Sequence, residues 1–209
     1  MKNINLLYKK YKDQTCILFG NGESLLKFKE DKNCIRLGIN YSFEKIKDLD
    51  YLFLQEYETY KIIKEIFDNN NMIIPFYPGL NIHGTAERIT IENKQAYGYE
   101  LQNPLQNKIS DLQNKDLSID KNIKVFSYTG TSQCALHIIA YMGFKKIRLI
   151  GFDYKLYSTG KVHFYSEFSH EYTNQKMNAL VRIKEGDDFI IKRLQELYNI
   201  EVINENNLR

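Results

Sequence analysis

Short apolar runs bounded by turn residues recur along this chain, and helically periodic stretches separate them. Runs at 15–20 (TCILFG), 34–39 (CIRLGI), 51–54 (YLFL) and 72–76 (MIIPF) predict four strands. Three more follow at 123–127 (IKVFS), 147–151 (IRLIG) and 200–203 (IEVI). Between them the period lengthens. Residues 60–67 place Ile62, Ile63, Ile66 and Phe67 on one helical face. Residues 132–142 do the same with Ala135, Leu136, Ile138, Ile139 and Met142, and Gly143 marks the end of that helix. A third helix is predicted over 188–198, through Phe189, Ile190, Leu194 and Leu197. Strands this continuously apolar are covered on both faces. The alternation therefore predicts an α/β fold with a mainly parallel sheet of about seven strands and helices on both sides.

Two stretches interrupt the alternation. Residues 77–121 are long, polar and weakly periodic, and are read as a lid or insertion within one domain spanning 1–209. Residues 152–172 are shorter and dense in Tyr and His. Ligands of open parallel sheets bind outside the carboxyl ends of the strands. The second stretch leaves such an end directly, which places the chemistry there.

Composition narrows the partners. A length of 209 residues fits a single core, and 43% hydrophobic with 26% charged residues is ordinary for a folded domain. A net charge of +3 is too small to argue for nucleic acid. Cys16, Cys34 and Cys134 form no C-x-x-C pair and are read as buried thiols of a cytoplasmic protein. The first residues lack an apolar core of signal-peptide type, and no run is long enough to span a bilayer. Peripheral membrane association and a homo-oligomer stay open.

Four constellations could carry chemistry. Gly20-Asn21-Gly22 follows the first strand, with a helix start at Glu23 and Ser24. Backbone N–H groups and a helix terminus at such a corner suit a phosphate. The turn lacks the full dinucleotide and P-loop spacings, and glycines there could equally serve positive φ. Asn21 could bind ribose or phosphate, or only hold the turn. Asn40, after the second strand, could read a base or ribose, or cap the helix beyond it. Thr131 and Ser132 open a helix as caps and could hold a ligand at the same time. Gly151, Asp153, Tyr154 and Tyr157 lead into the loop with His163 and His170. A histidine of near-neutral pKa can deprotonate a hydroxyl, and a tyrosine can donate to a departing phosphate. His83 lies in the other long loop, and His137 falls in an apolar helix, where a structural role is expected. Asp48 and Asp50 precede a strand and read as solvated charges, so no metal site is predicted.

In this order these pieces resemble the CMP-sialic-acid-dependent bacterial lipooligosaccharide sialyltransferases. They also resemble a broader group of motility-associated glycosyltransferases and 6-hydroxymethylpterin pyrophosphokinase-like proteins. The matching segments are 17–25 (ILFGNGESL), 38–41 (GINY), Thr131-Ser132, 141–154 (YMGFKKIRLIGFDY) and 197–203 (LYNIEVI). Glu23 stands where the sialyltransferases tend to have proline. The resemblance implies a Rossmann-like domain that transfers a sugar from a CMP-activated donor to a glycan hydroxyl in surface-glycan biosynthesis. It implies nucleotide contacts from Asn21, Asn40, Thr131 and Ser132, and Gly20, Gly22, Ser24, Gly151 and Asp153 beside them are read as nucleotide-binding too. It implies a base at His163 or His170, phosphate assistance from Tyr154 or Tyr157, and no required cofactor. The pyrophosphokinase relatives imply ATP and Mg²⁺ instead, and a binding module without turnover is the third alternative.

Overall fold

The computed structural model describes residues 2–29, 33–55, 57–63, 65–67, 72–75, 96–102, 117–126, 128–154 and 174–208. Among the described residues there are nine strands: β1 (Lys2–Asn3), β2 (Thr15–Phe19), β3 (Ile35–Ile39), β4 (Tyr51–Phe53), β5 (Met72–Pro75), β6 (Tyr97–Leu101), β7 (Lys124–Val125), β8 (Lys146–Ile150) and β9 (Glu201–Asn204). Every ladder among them is parallel. The spatial order is β1-β6-β5-β4-β3-β2-β8-β9, with β7 also paired to β6. The seven runs read from the sequence all form strands, and β1 and β6 are added to them. β6 lies inside the stretch 77–121, so that segment contributes to the sheet as well as connecting it.

Three α-helices accompany the sheet among the described residues: α1 (Tyr57–Ile63), α2 (Thr131–Tyr141) and α3 (Asn174–Tyr198). Side chains alternate between two cores, as the period of two requires. Cys16, Leu18, Leu37, Tyr51, Ile147 and Leu149 face α2 and α3. Ile17, Phe19, Leu52, Leu54, Met72 and Ile150 face the other side, against Leu25, Phe43, Tyr60 and Ile63. Two helix boundaries differ from the periodic reading. α1 stops at Ile63; Ile62 within it and Ile66 beyond it are both exposed, while Ile63 is buried. α3 begins at position 174, four turns before 188.

All eleven residues of α2 are buried, so each of its polar side chains needs a partner. His137 fills a structural role there. Its Nδ1 accepts from the Phe126 N–H at 2.9 Å, leaving Nε2 to face the Ser118 carbonyl at 3.2 Å. The carboxyl end of α2 is satisfied by residues 9–13. The N–H groups of Lys9, Tyr11 and Asp13 donate to the carbonyls of Tyr141, Met142 and Gly143 at 2.9–3.0 Å. Gly143 sits at φ +93°, just past the helix, as the sequence predicts.

The chain reverses direction across the sheet at β2. Strands β3 to β6 build outward on one side, and the path then returns through α2 to place β8 on the other. The carboxyl ends of β2 and β8 therefore flank a topological switch point. The Gly143 position supplies a test of the packing. An added Cβ would lie 3.1 Å from the Cα atoms of both Lys9 and Lys12. Gly143→Ala should lower unfolding stability by roughly 1–3 kcal/mol in urea melts, from left-handed strain and this crowding.

Candidate functional site

The switch point is closed by direct backbone contact. The Gly20 N–H donates to the Ile150 carbonyl at 2.7 Å, and the Gly22 N–H to the Gly151 carbonyl at 2.8 Å. Asp153 Oδ2 accepts from the Ser24 N–H at 2.9 Å, opening the short 3₁₀ turn Glu23–Lys27. Neither Gly20 nor Gly22 has positive φ, so that explanation for the two glycines fails. Close approach is what requires them. A Cβ on Gly20 would lie 2.4 Å from the Gly151 oxygen, and one on Gly22 would lie 2.3 Å from Asp153 Oδ2.

A cavity of about 320 Å³ opens above this corner. Of the residues singled out in the sequence, Gly20, Asn21, Gly22, Asn40, Thr131, Ser132, Gly151, Asp153 and Tyr154 line it. Ser24 lies just behind, contributing its N–H to Asp153. Tyr157, His163, His170 and His83 fall outside the described residues. Asn40 and Tyr154 both hold left-handed backbone, at φ 47° and 48°. For a bulky aromatic this is a sparsely populated region, and such strain concentrates at functional sites. Asn21 is 6% exposed, and its Oδ1 has no hydrogen-bond partner among the described residues. A buried acceptor of this kind costs about 1–3 kcal/mol until a donor reaches it. A ligand N–H or O–H in the cavity would do so.

A wider depression of about 830 Å³ lies at the opposite, amino-terminal ends of the strands, lined by Gln14, Cys34, Asp50, Lys146 and Arg148. It is more open to solvent, and Lys146 and Arg148 pair there with Glu201 and Glu205. It has no glycine turn and lies away from the strand ends where parallel sheets bind ligands. The smaller cavity is the candidate site.

Two residues escaped the sequence reading: Asp187, which lines the cavity, and Gln133, which is bonded to it from behind. Asp187 of α3 is fully buried and accepts three hydrogen bonds. Ser132 Oγ and Gln133 Nε2 donate to its Oδ1 at 2.7 and 2.9 Å, and the Tyr154 hydroxyl donates to its Oδ2 at 2.7 Å. Gln133, also fully buried, ties the preceding loop to α3. Its Oε1 accepts from the N–H groups of Tyr128, Thr129 and Gly130 at 2.9–3.3 Å, while Nε2 also donates to the Ile183 carbonyl. Gly186 permits this packing, since a Cβ there would lie 2.8 Å from Gln133 Nε2. Extending the α3 period backward from Leu194 and Ile190 would have put Asp187 and Ile183 on the buried stripe. A carboxylate on an apolar face is the signal that was available.

Burial pushes the Asp187 carboxyl up to about 6, helped by the neighbouring Asp188 charge and opposed by the three donors. Burial, then the Asp187 charge, pushes the Tyr154 hydroxyl far up. The shared proton therefore stays on tyrosine. Lys184 pairs with Asp188, and its Nζ lies 6.0 Å from the Tyr154 ring centre.

No protein-family model matches the chain, and no curated protein matches it. Two solved structures of the sialyltransferase CstII from Campylobacter jejuni are similar to it. The one in complex with cytidine-5'-monophosphate aligns at a TM-score of 0.50 and 17% identity, over 92% of this chain and 80% of that one. The one with the substrate analogue CMP-3FNeuAc aligns at 0.46 and 14%, over 91% and 79%. At this identity the likeness is one of fold. No helix among the described residues is long and apolar enough to cross a membrane.

The buried carboxylate makes a pH prediction. The folded-state pKa of Asp187 lies above its unfolded value, so its contribution is fully present below about pH 4 and is lost as pH rises through about 6. Relative to Asp187→Asn, the wild type should lose roughly 3 kcal/mol of unfolding stability between pH 4 and 7.5. A wild type that gains on the variant over this range would show the ionised carboxylate to be favourably placed.

Proposed function

We propose that this chain is a glycosyltransferase that moves a sugar, sialic-acid-like in the leading reading, from a CMP-activated donor to a glycan hydroxyl. The observation that carries the reading is the convergence of the Gly20–Gly22 turn, Asn40, the Thr131-Ser132 helix start and Tyr154 on one cavity at the switch point. The fold shared with CstII is consistent with it. In this reading the donor phosphate lies over the glycine turn and the amino-terminal end of α2, where backbone dipoles favour negative charge. Asn21 and Asn40 contact the nucleotide. A histidine of the 155–173 segment, His163 or His170, takes the proton of the acceptor hydroxyl as it attacks the anomeric carbon. CMP departs with its new charge held by backbone N–H groups and by hydroxyls of Tyr154 or Tyr157. Positioning and fixed dipoles then supply most of the rate.

The first test is thermal stabilisation by CMP, CDP, UDP, GDP and ATP, each with and without Mg²⁺. A ligand selective for the folded state raises stability by about 2.7 kcal/mol at a hundredfold excess over Kd. CMP should stabilise the protein in EDTA. Stabilisation by ATP with Mg²⁺ alone would favour phosphoryl-group transfer instead. The base is tested separately. His163→Ala or His170→Ala should cut turnover of a CMP-sugar by at least about 100-fold while leaving CMP affinity in place. Normal turnover in both variants would remove the histidine base from the mechanism.

A further inference from the structure

The hydrogens of Ser132 and Tyr154 are already committed. An alcohol and a phenol each carry a single O–H, and both are donated to Asp187. What these two hydroxyls offer the cavity is oxygen lone pairs, with a carboxylate charge directly behind them. Phosphate oxygens are acceptors too. Placed against the Tyr154 oxygen in this arrangement, they meet lone pairs and a like charge. One proton reverses the polarity. With Asp187 Oδ2 protonated, the acid donates to the Tyr154 oxygen and the tyrosine hydrogen is released toward the cavity. The two donors to Oδ1 need not move. No covalent bond changes apart from the O–H formed with a proton from solvent.

We propose that a phosphate group seated in this cavity binds together with one proton taken up by Asp187, which acts as the positioning residue for the Tyr154 hydroxyl. The inference rests on reading the cavity as a nucleotide site. The charged and titratable groups around the pair are few among the described residues. On α3 they are Asp188 with its partner Lys184, and Arg182, which lies against the Tyr128 ring of the preceding loop. From the β8 end they are Tyr154 itself and Asp153, which holds the Ser24 N–H. From α2 come only the neutral donors Ser132 and Gln133. Asp187 is thus the one carboxylate in direct contact with the tyrosine hydroxyl, and its raised pKa leaves a proton within reach near neutrality.

The experiment is calorimetric titration at pH 7.5 in two buffers of different ionisation enthalpy, with CMP and with inorganic pyrophosphate as probes. Wild type, Asp187→Asn and Tyr154→Phe are compared. The asparagine amide can donate to the Tyr154 oxygen while its carbonyl accepts from Ser132 and Gln133, so it imitates the protonated acid. Wild type should take up about one proton more per bound phosphate ligand than either variant. Its affinity should weaken by up to about tenfold more per pH unit than that of Asp187→Asn between pH 7 and 8.5. Equal proton counts in wild type and Asp187→Asn, with both binding, would overturn the proposal. Extra proton uptake with pyrophosphate but no binding of CMP would sink the cytidine reading and leave this one standing. Binding of neither phosphate ligand would remove both.

Discussion

The contact between residues 20–22 and 151–153 is the constraint on which the site depends. Two neighbouring parallel strands end together there, and the chain leaving each is held against the other by two backbone hydrogen bonds and one carboxylate cap. The approach is so close that no side chain fits at position 20 or 22. It ties the loop leaving β2, at residues 20–24, to the loop from the end of β8, at residues 150–153. Tyr154 is carried on the second loop and Asn21 on the first, so their separation is set by main-chain geometry rather than by side-chain choice. Asp153, which lines the cavity at a strand end, also fixes this junction by accepting from the Ser24 N–H.

A second element, α3, supplies the floor. Its buried carboxylate gathers donors from the β8 end and from the first turn of α2, so three separate segments meet on one side chain. Such a group is costly in a low-dielectric interior unless each lone pair is answered. Here neutral donors answer it. That choice keeps the charge responsive to its surroundings, where an arginine or lysine partner would have locked it.

The sheet was largely legible in the sequence because buried parallel strands leave uninterrupted apolar runs, and all seven such runs became strands. β1 is two residues long, and β6 (YGYEL) sits in a polar stretch, so neither leaves that mark. The turn at 20–22, Asn40, Thr131, Ser132 and Tyr154 were found because strand ends and helix starts announce themselves locally. Gln133 and Asp187 were not. Gln133 is the third residue of α2 and reads as an ordinary polar position. Asp187 lies one residue before position 188, where the apolar period starts the third helix, although that helix begins at 174. Their link to each other spans 54 residues of sequence, which local periodicity does not encode.

The capping of α2 by residues 9–13 has a mechanical consequence. The helix is about 16 Å long, and its polar groups are tied at both ends: to α3 and the cavity wall at one, to the amino-terminal segment at the other. No fraying turn separates the two. One segment thus bears on the far end of the same helix that presents Thr131 and Ser132 to the cavity, although residues 9–13 do not line it.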